Sequence, residues 1–190
     1  SGSFSCGAGI THRYLEKICQ SLDVPLITRE VEQEIETLEC YSCSRIRRRE
    51  LFAAAREQGI TKIAFGHHRD DQAQTVMMNL FSKGEFEGML PSLPMYAYGI
   101  TLIRPLLKVS EEVIITFAEQ QGFLRSMCRC PVGQNSMRKR TEEWMKNIEN
   151  QFPHAKSNVG RAVEKYGTKK AATPPKERIL RKENEERRQS

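Results

Sequence analysis

No apolar run in this 190-residue chain approaches the roughly 18 residues that a membrane span needs. Its first residues show no basic-then-apolar leader pattern. These absences lead to the expectation of a cytoplasmic protein with no membrane partner. No internal repeat is visible, which removes repeat architectures. Acidic residues are in the minority: 24 Asp and Glu against 30 Lys and Arg give a net charge of +6 and a pI near 9.1. That excess argues for a polyanionic partner such as nucleic acid and is silent about fold. The length suits one domain with a small extension, and 38% hydrophobic residues suffice for a core.

Six cysteines are present, and four form two tight pairs, Cys40-Tyr41-Ser42-Cys43 and Cys128-Arg129-Cys130. In a reducing compartment, close pairs point to metal or redox chemistry more than to a disulfide framework. One C-x-x-C alone could be a thioredoxin-like motif or chance; two pairs together favour a metal. Cys6 stands apart, and Cys19 lies on an apolar helical stripe and reads as a small core residue. The first pair opens a strong helix former, Ser44 to Ala55, ended by Gly59 at C′. A helix start suits an anionic metal ligand. Arg45, Arg47, Arg48 and Arg49 then spread around the helix, so some face solvent or a phosphate-bearing partner.

The stretch from Ile60 to Thr75 organises the chain. Ile60, Ile63, Ala64 and Phe65 form an apolar run stopped by Gly66, which reads as a buried strand. Ala73, Val76, Met77, Leu80 and Phe81 then repeat at helical spacing. The turn between them, with His67, His68, Arg69, Asp70 and Asp71, falls at a strand's carboxyl end and a helix N-terminus, where ligands and anions bind in open α/β sheets. The plainer reading is that Asp70 or Asp71 is the helix N-cap.

In order, the chain opens on a small, Gly-rich segment, and a helix starts near Thr11 with Leu15, Ile18, Cys19 and Leu22 on one face. Val24–Thr28 is a short strand candidate, Glu30–Glu39 a loop, and Gly84–Pro94 an ordered loop. Ile100–Ile103 is the next strand, and Pro105 ends it and aims Arg104 at the same carboxyl edge as His67. Ser110 caps a helix through Gln121, with Glu111 and Glu112 in its first turn and Gly122 after its end. Met137 to Ile148 is an amphipathic helix crossed by Arg138, Lys139 and Arg140 and stopped by Pro153, and a short helix follows to Gly167. Residues 168–190 read as a disordered basic tail. Strands alternating with helices predict an α/β fold.

Gly66-His67-His68-Arg69-Asp70-Asp71-Gln72-Ala73-Gln74-Thr75 resembles the signature of the PP-loop ATPases that thiolate tRNA, and the cytidine-thiolating branch is the nearest. The similarity runs from about Leu15 to Ile148, with Cys40 to Arg45 and Ile103-Arg104-Pro105-Leu106 as further landmarks. It implies a Rossmann-like, adenine nucleotide alpha hydrolase-like parallel sheet over 1–126, a helical extension over 127–167 and the tail. It implies ATP, Mg²⁺ and a [4Fe-4S] cluster held by Cys40, Cys43 and Cys130, with Cys128 as the alternative third ligand. The chemistry it implies is adenylation of the base oxygen by ATP, followed by displacement of AMP by sulfide. Asp70 and Asp71 are the implied catalytic carboxylates and Gly66, His67 and Arg104 the nucleotide-binding residues. The implied partners are tRNA, held by Arg45, Arg47, Arg48, Arg138, Lys139 and Arg140, a sulfur donor such as a cysteine desulfurase, and a second copy in a homodimer. Another PP-loop enzyme, a uridine thiolase or lysidine synthase, is the enzymatic alternative; a non-enzymatic metal-binding RNA module is the other.

The chain departs from the family in one place. The Ser-Gly-Gly-x-Asp-Ser loop is absent, Ser1 to Ser5 resembling it only in small residues, so the sheet is expected to be N-terminally incomplete and ATP binding less certain than ancestry. Without the family's first strands, Val24–Thr28 and Ile60–Phe65 are expected to lose their shared neighbour and expose edges.

Overall fold

A computed structural model describes residues 12–31, 39–123 and 136–167. In chain order the elements are α1 (His12–Ser21), α2 (Cys40–Glu57), β1 (Lys62–Ala64), α3 (Arg69–Lys83), β2 (Ser92–Met95), a 3₁₀ turn (Tyr96–Tyr98), β3 (Ile100–Ile103), α4 (Glu111–Gln120), α5 (Met137–Gln151) and α6 (Ala155–Tyr166). The three strands form one sheet in the order β1-β3-β2. The α/β expectation holds, but the sheet is mixed. β1 runs parallel to β3, with Ile63 opposite Leu102, and β2 runs antiparallel to β3, with Leu93 opposite Leu102.

β2 lies partly within the stretch expected to be a loop. Pro94 disguised it, because proline donates no ladder hydrogen bond; the strand tolerates it by sitting at the sheet's edge. Val24–Thr28 forms no strand, and among the described residues nothing pairs with it as a ladder. β1 is not buried as its apolar run suggested: Ile63 is half-buried, whereas Ile60 and Ala64 are exposed. One flank of β1 meets β3, and no described strand lies on the other. Phe65 extends the pairing by donating its N–H to Ile103 O at 2.9 Å.

Two packed regions position the carboxyl edge of this sheet. In the first, Phe52 and Ala55 of α2 cover Ile100 and Leu102 of β3, with Ile63, Phe65, Leu93 and Met95 around them. Gly59, at φ +66°, lets α2 stop and turn into β1 as its C′ position predicted. In the second, α5 and α6 pack on α3: Ala73 and Val76 of α3 are fully buried, as are Thr141 and Met145 of α5, with Val163 of α6 close to it. The stripe predicted for α3 is buried only over its first half. Leu80 and Phe81 are exposed, and Phe81 meets Trp144 of α5 edge-on at 6.0 Å. α1 buries no residue, so Cys19 is half-buried rather than a core residue. No described layer covers the apolar face of α1.

Candidate nucleotide and thiol site

The turn between β1 and α3 is built by a reciprocal cap. The N-cap is His68, not either aspartate: His68 Nδ1 accepts from Asp71 N at 3.4 Å, and Asp71 Oδ2 accepts from His68 N at 3.2 Å. Asp71 is thus the third residue of the helix, where a carboxylate closes a capping box. Its other oxygen, Oδ1, accepts from Arg138 Nη1 of α5 at 2.8 Å. Asp70 is turned the opposite way and is 8% exposed. Its Oδ2 accepts the N–H of Glu111, the first residue of α4, at 2.8 Å, and Oδ1 lies 3.7 Å from Lys156 Nζ of α6. Lys156 also pairs with Glu149 at 2.9 Å. The two neighbouring aspartates therefore fasten three helices to one turn. Neither fits a bare magnesium ion as it stands, since every carboxylate oxygen already faces an N–H or a cation.

His67 and Arg104 come together as expected, at the ends of the parallel strands β1 and β3. Arg104 Nη1 donates to Leu90 O at 2.6 Å, and its backbone N–H to Pro91 O at 2.8 Å, which fixes the side chain across the sheet's edge. Burial is the main cause that lowers the His67 pKa from 6.5; the charges of Arg104, Arg138 and Arg48 add to it, and Asp71 opposes it. Burial, then Arg48, also lowers Arg104 from its ordinary value. Arg48 of α2, predicted as an RNA contact, thus acts on both residues. Buried His67 Nδ1 and Arg104 Nε find no hydrogen-bond partner among the described residues, the kind of unsatisfied polar atom that a ligand completes. Gly66 is exposed, its φ is not left-handed, and a Cβ there would meet nothing within 4 Å. The fold itself asks for no glycine at that point.

The thiol side of the site is partly in view. Cys40 is the first residue of α2, and Cys43 lies in its first turn, buried at 7% exposure, with its N–H bonded to Glu39 O. The predicted helix-start position of the pair is therefore found. Cys128 and Cys130 lie outside the described residues, as do the tail after Gly167 and the Gly-rich opening. Among the described residues no group of three His, Cys, Asp or Glu gathers for a metal.

The predicted RNA-contacting residues divide. Arg45 and Arg47 are exposed, and Arg48 is exposed with Nη2 donating to Ser44 Oγ at 3.2 Å. Arg138 is engaged by Asp71, Lys139 pairs with Glu142 at 3.0 Å, and Arg140 is exposed. A cavity of about 420 Å³ opens between α4 and the start of α6, lined by Asp70, Ser110, Glu111, Glu149 and Lys156. It includes neither His67 nor Arg104, and its walls carry both signs of charge. Lys156 had no sequence signal: its partner Asp70 is 86 residues away, and only the packing of α6 on α3 joins them.

The chain is 38% identical over 156 residues to a tRNA-cytidine(32) 2-sulfurtransferase of Xylella fastidiosa (strain 9a5c), a match covering 82% of this chain and 50% of that protein. It is 39% identical over 125 residues to the tRNA-cytidine(32) 2-sulfurtransferase of Coxiella burnetii (strain CbuG_Q212), covering 65% and 49%. The chain spans about half the length of the curated relatives it matches. Among solved structures, the U34-tRNA thiolase NcsA from Methanococcus maripaludis with its [4Fe-4S] cluster superposes with a TM-score of 0.61 at 24% identity, covering 80% of this chain and 54% of that one. The likeness establishes the Rossmann-like, adenine nucleotide alpha hydrolase-like fold. The family model described as the PP-loop domain matches residues 7–124, more than half of the sequence, and the chain belongs to the PP-loop family.

Proposed function

We propose that this chain takes part in ATP-dependent thiolation of a tRNA base, a cytidine of the anticodon loop. One juxtaposition carries the reading: α2 starts on a C-x-x-C and packs Phe52 and Ala55 on β3, the strand that ends at Arg104, and the charge of its Arg48 is felt at His67 and Arg104. Relatives at 38–39% identity are named as cytidine 2-sulfurtransferases. Thiol chemistry and an anion-binding edge would therefore be joined through one helix.

His67 Nδ1 and Arg104 Nε offer unsatisfied polar atoms to a nucleotide, and the open space over Gly66 admits its approach. Arg104 stays cationic and balances phosphate charge, while neutral His67 is suited to accept or donate one hydrogen bond. Asp71 borders this edge, since its charge acts on His67; Asp70 holds α4 and Lys156 and supports the turn from behind. In this reading Mg²⁺ belongs with ATP, not with the aspartates as they are paired here. Cys40 and Cys43, with Cys130 or Cys128 as the third thiol, would hold a [4Fe-4S] cluster, and a helix start suits an anionic ligand. When bound, the cluster would carry sulfide from the donor to the activated base, where it replaces the oxygen as AMP leaves. A cysteine desulfurase as donor, a homodimer and a cytoplasmic setting complete the proposal.

The test is anaerobic purification of the chain and of its Cys43→Ala, Cys128→Ala and Cys130→Ala variants, with iron and labile sulfide assayed and tRNA nucleosides resolved by mass spectrometry. A brown parent absorbing at roughly 400 nm, Cys43→Ala without iron, and thiolated cytidine in the product are expected. A colourless parent with stoichiometric zinc would overturn the reading.

A further inference from the structure

We propose that Tyr41 is a stacking platform for an unpaired base of the RNA substrate, with Arg45 as its charged companion; the proposal rests on the RNA-modifying reading above. Tyr41 is 68% exposed although it stands in the first turn of α2, beside the cysteines. Among the described residues, the buried core of α2 and the sheet does not include it. An exposed ring by itself is ordinary; what marks this one is the set of cations around it.

Its place on the helix gives the ring a direction. Tyr41, Arg48 and Phe52 follow one another at spacings of seven and four residues and so share one face of α2. Phe52 is buried on β3. Arg48, one turn nearer the N-terminus, is close enough to act on His67 and Arg104. Seven residues further back correspond to about 10 Å of helix, so Tyr41 stands outward of the sheet's carboxyl edge, on the side that carries the nucleotide residues. Cys43 lies within the same turn.

The second observation is the partner of the ring. The Arg45 guanidinium lies 5.7 Å from the Tyr41 ring centroid, a cation–π contact at the i, i+4 spacing. Arg47, Arg48 and Arg49 are exposed on the adjoining turn. A π-face with guanidinium groups beside it is the pairing that holds single-stranded nucleic acid: the ring takes the base, the cations take the phosphates. A base stacked on Tyr41 lies at the end of α2 that carries the C-x-x-C pair.

The test measures binding of a labelled tRNA anticodon stem-loop to the chain and to Tyr41→Phe, Tyr41→Leu and Tyr41→Ala, across a salt series. ATP binding to each is followed by calorimetry. Stacking predicts a loss of about fivefold to a hundredfold for Leu and Ala, with Phe close to the parent. It also predicts an unchanged salt slope, since no phosphate contact is removed, and unchanged ATP binding. If the parent binds and Tyr41→Ala binds equally well, the platform is wrong and the thiolase reading stands. A parent with no affinity for the stem-loop overturns both. A variant that loses ATP and keeps RNA overturns the assignment to RNA. Equal losses in Phe and Ala would mean that the hydroxyl, not the ring, makes the contact, and would overturn stacking.

Discussion

Arg138 Nη1 of α5 donates a 2.8 Å hydrogen bond to Asp71 Oδ1 in the first turn of α3, closing a separation of 67 residues. Asp70, the residue beside it, instead accepts the first N–H of α4, from Glu111. The two aspartates therefore predict different losses. Arg138 is about half exposed, so Arg138→Ala should cost only about 0.5–1 kcal/mol. Asp70→Ala removes a buried cap and leaves Lys156 with one carboxylate, at a cost of about 2–3 kcal/mol. Urea unfolding of both variants checks this, and equal losses would show that Asp70 does not hold α4.

His67 predicts a pH dependence. Its folded pKa lies below the ordinary 6.5, so the unfolded chain takes up the proton first as pH falls. The contribution to stability is full above 6.5, is lost as pH drops from 6.5 to the folded value, and is level below it. His67→Gln should flatten that descent. Asp71→Asn should push the His67 pKa lower still, because Asp71 is the one charge that raises it. NMR titration of the imidazole reads both effects directly; an upward shift in Asp71→Asn would contradict the arrangement.

Gly88 predicts a packing effect remote from the site. A Cβ there would lie 2.8 Å from Gln72 Nε2 and 3.0 Å from its Cδ. Buried Gln72 spends its amide on Met89, donating to the carbonyl O at 3.0 Å and accepting the N–H at 2.6 Å. Gly88→Ala should displace that pair and destabilise the chain by about 1–3 kcal/mol. Gln72→Ala should cost a similar amount, and the double variant less than the sum, as measured by thermal unfolding.

Salt dependence separates an RNA-binding surface from a solvated one. If Arg47 and Arg48 grip tRNA phosphates, the Arg47→Ala/Arg48→Ala double variant should flatten the log–log slope by about 0.7–0.9 for each phosphate let go. Lys139, already paired with Glu142, should change the slope less than either. A slope that stays at the parent's value in the double variant would show the arginines of α2 to be a solvated face.

Local chemistry carried much of the architecture. The strong helix formers after Cys43, the Ser110 cap and the glycines after α2 and α4 appear where the residues placed them. Each depends on interactions within a few residues, which sequence displays. Pro94 hides β2 as an edge strand, and the stripe of α1 shows that a helix can be buried, not that a layer covers it.

By itself the sequence determined which groups are available: a cysteine pair at a helix start, a His-Asp-rich turn after an apolar strand, Arg104 at the end of another, and an excess of arginine. Those follow from spacing and chain direction. Only the tertiary structure decided how the groups are spent. Packing α5 and α6 on α3 brought Arg138 to Asp71 and Lys156 to Asp70. Packing α2 on β3 brought the charge of Arg48 to His67 and Arg104 and left Tyr41 in the open. Side chains tens of residues apart meet through the sum of many small burial terms, and no local pattern records where that sum places them.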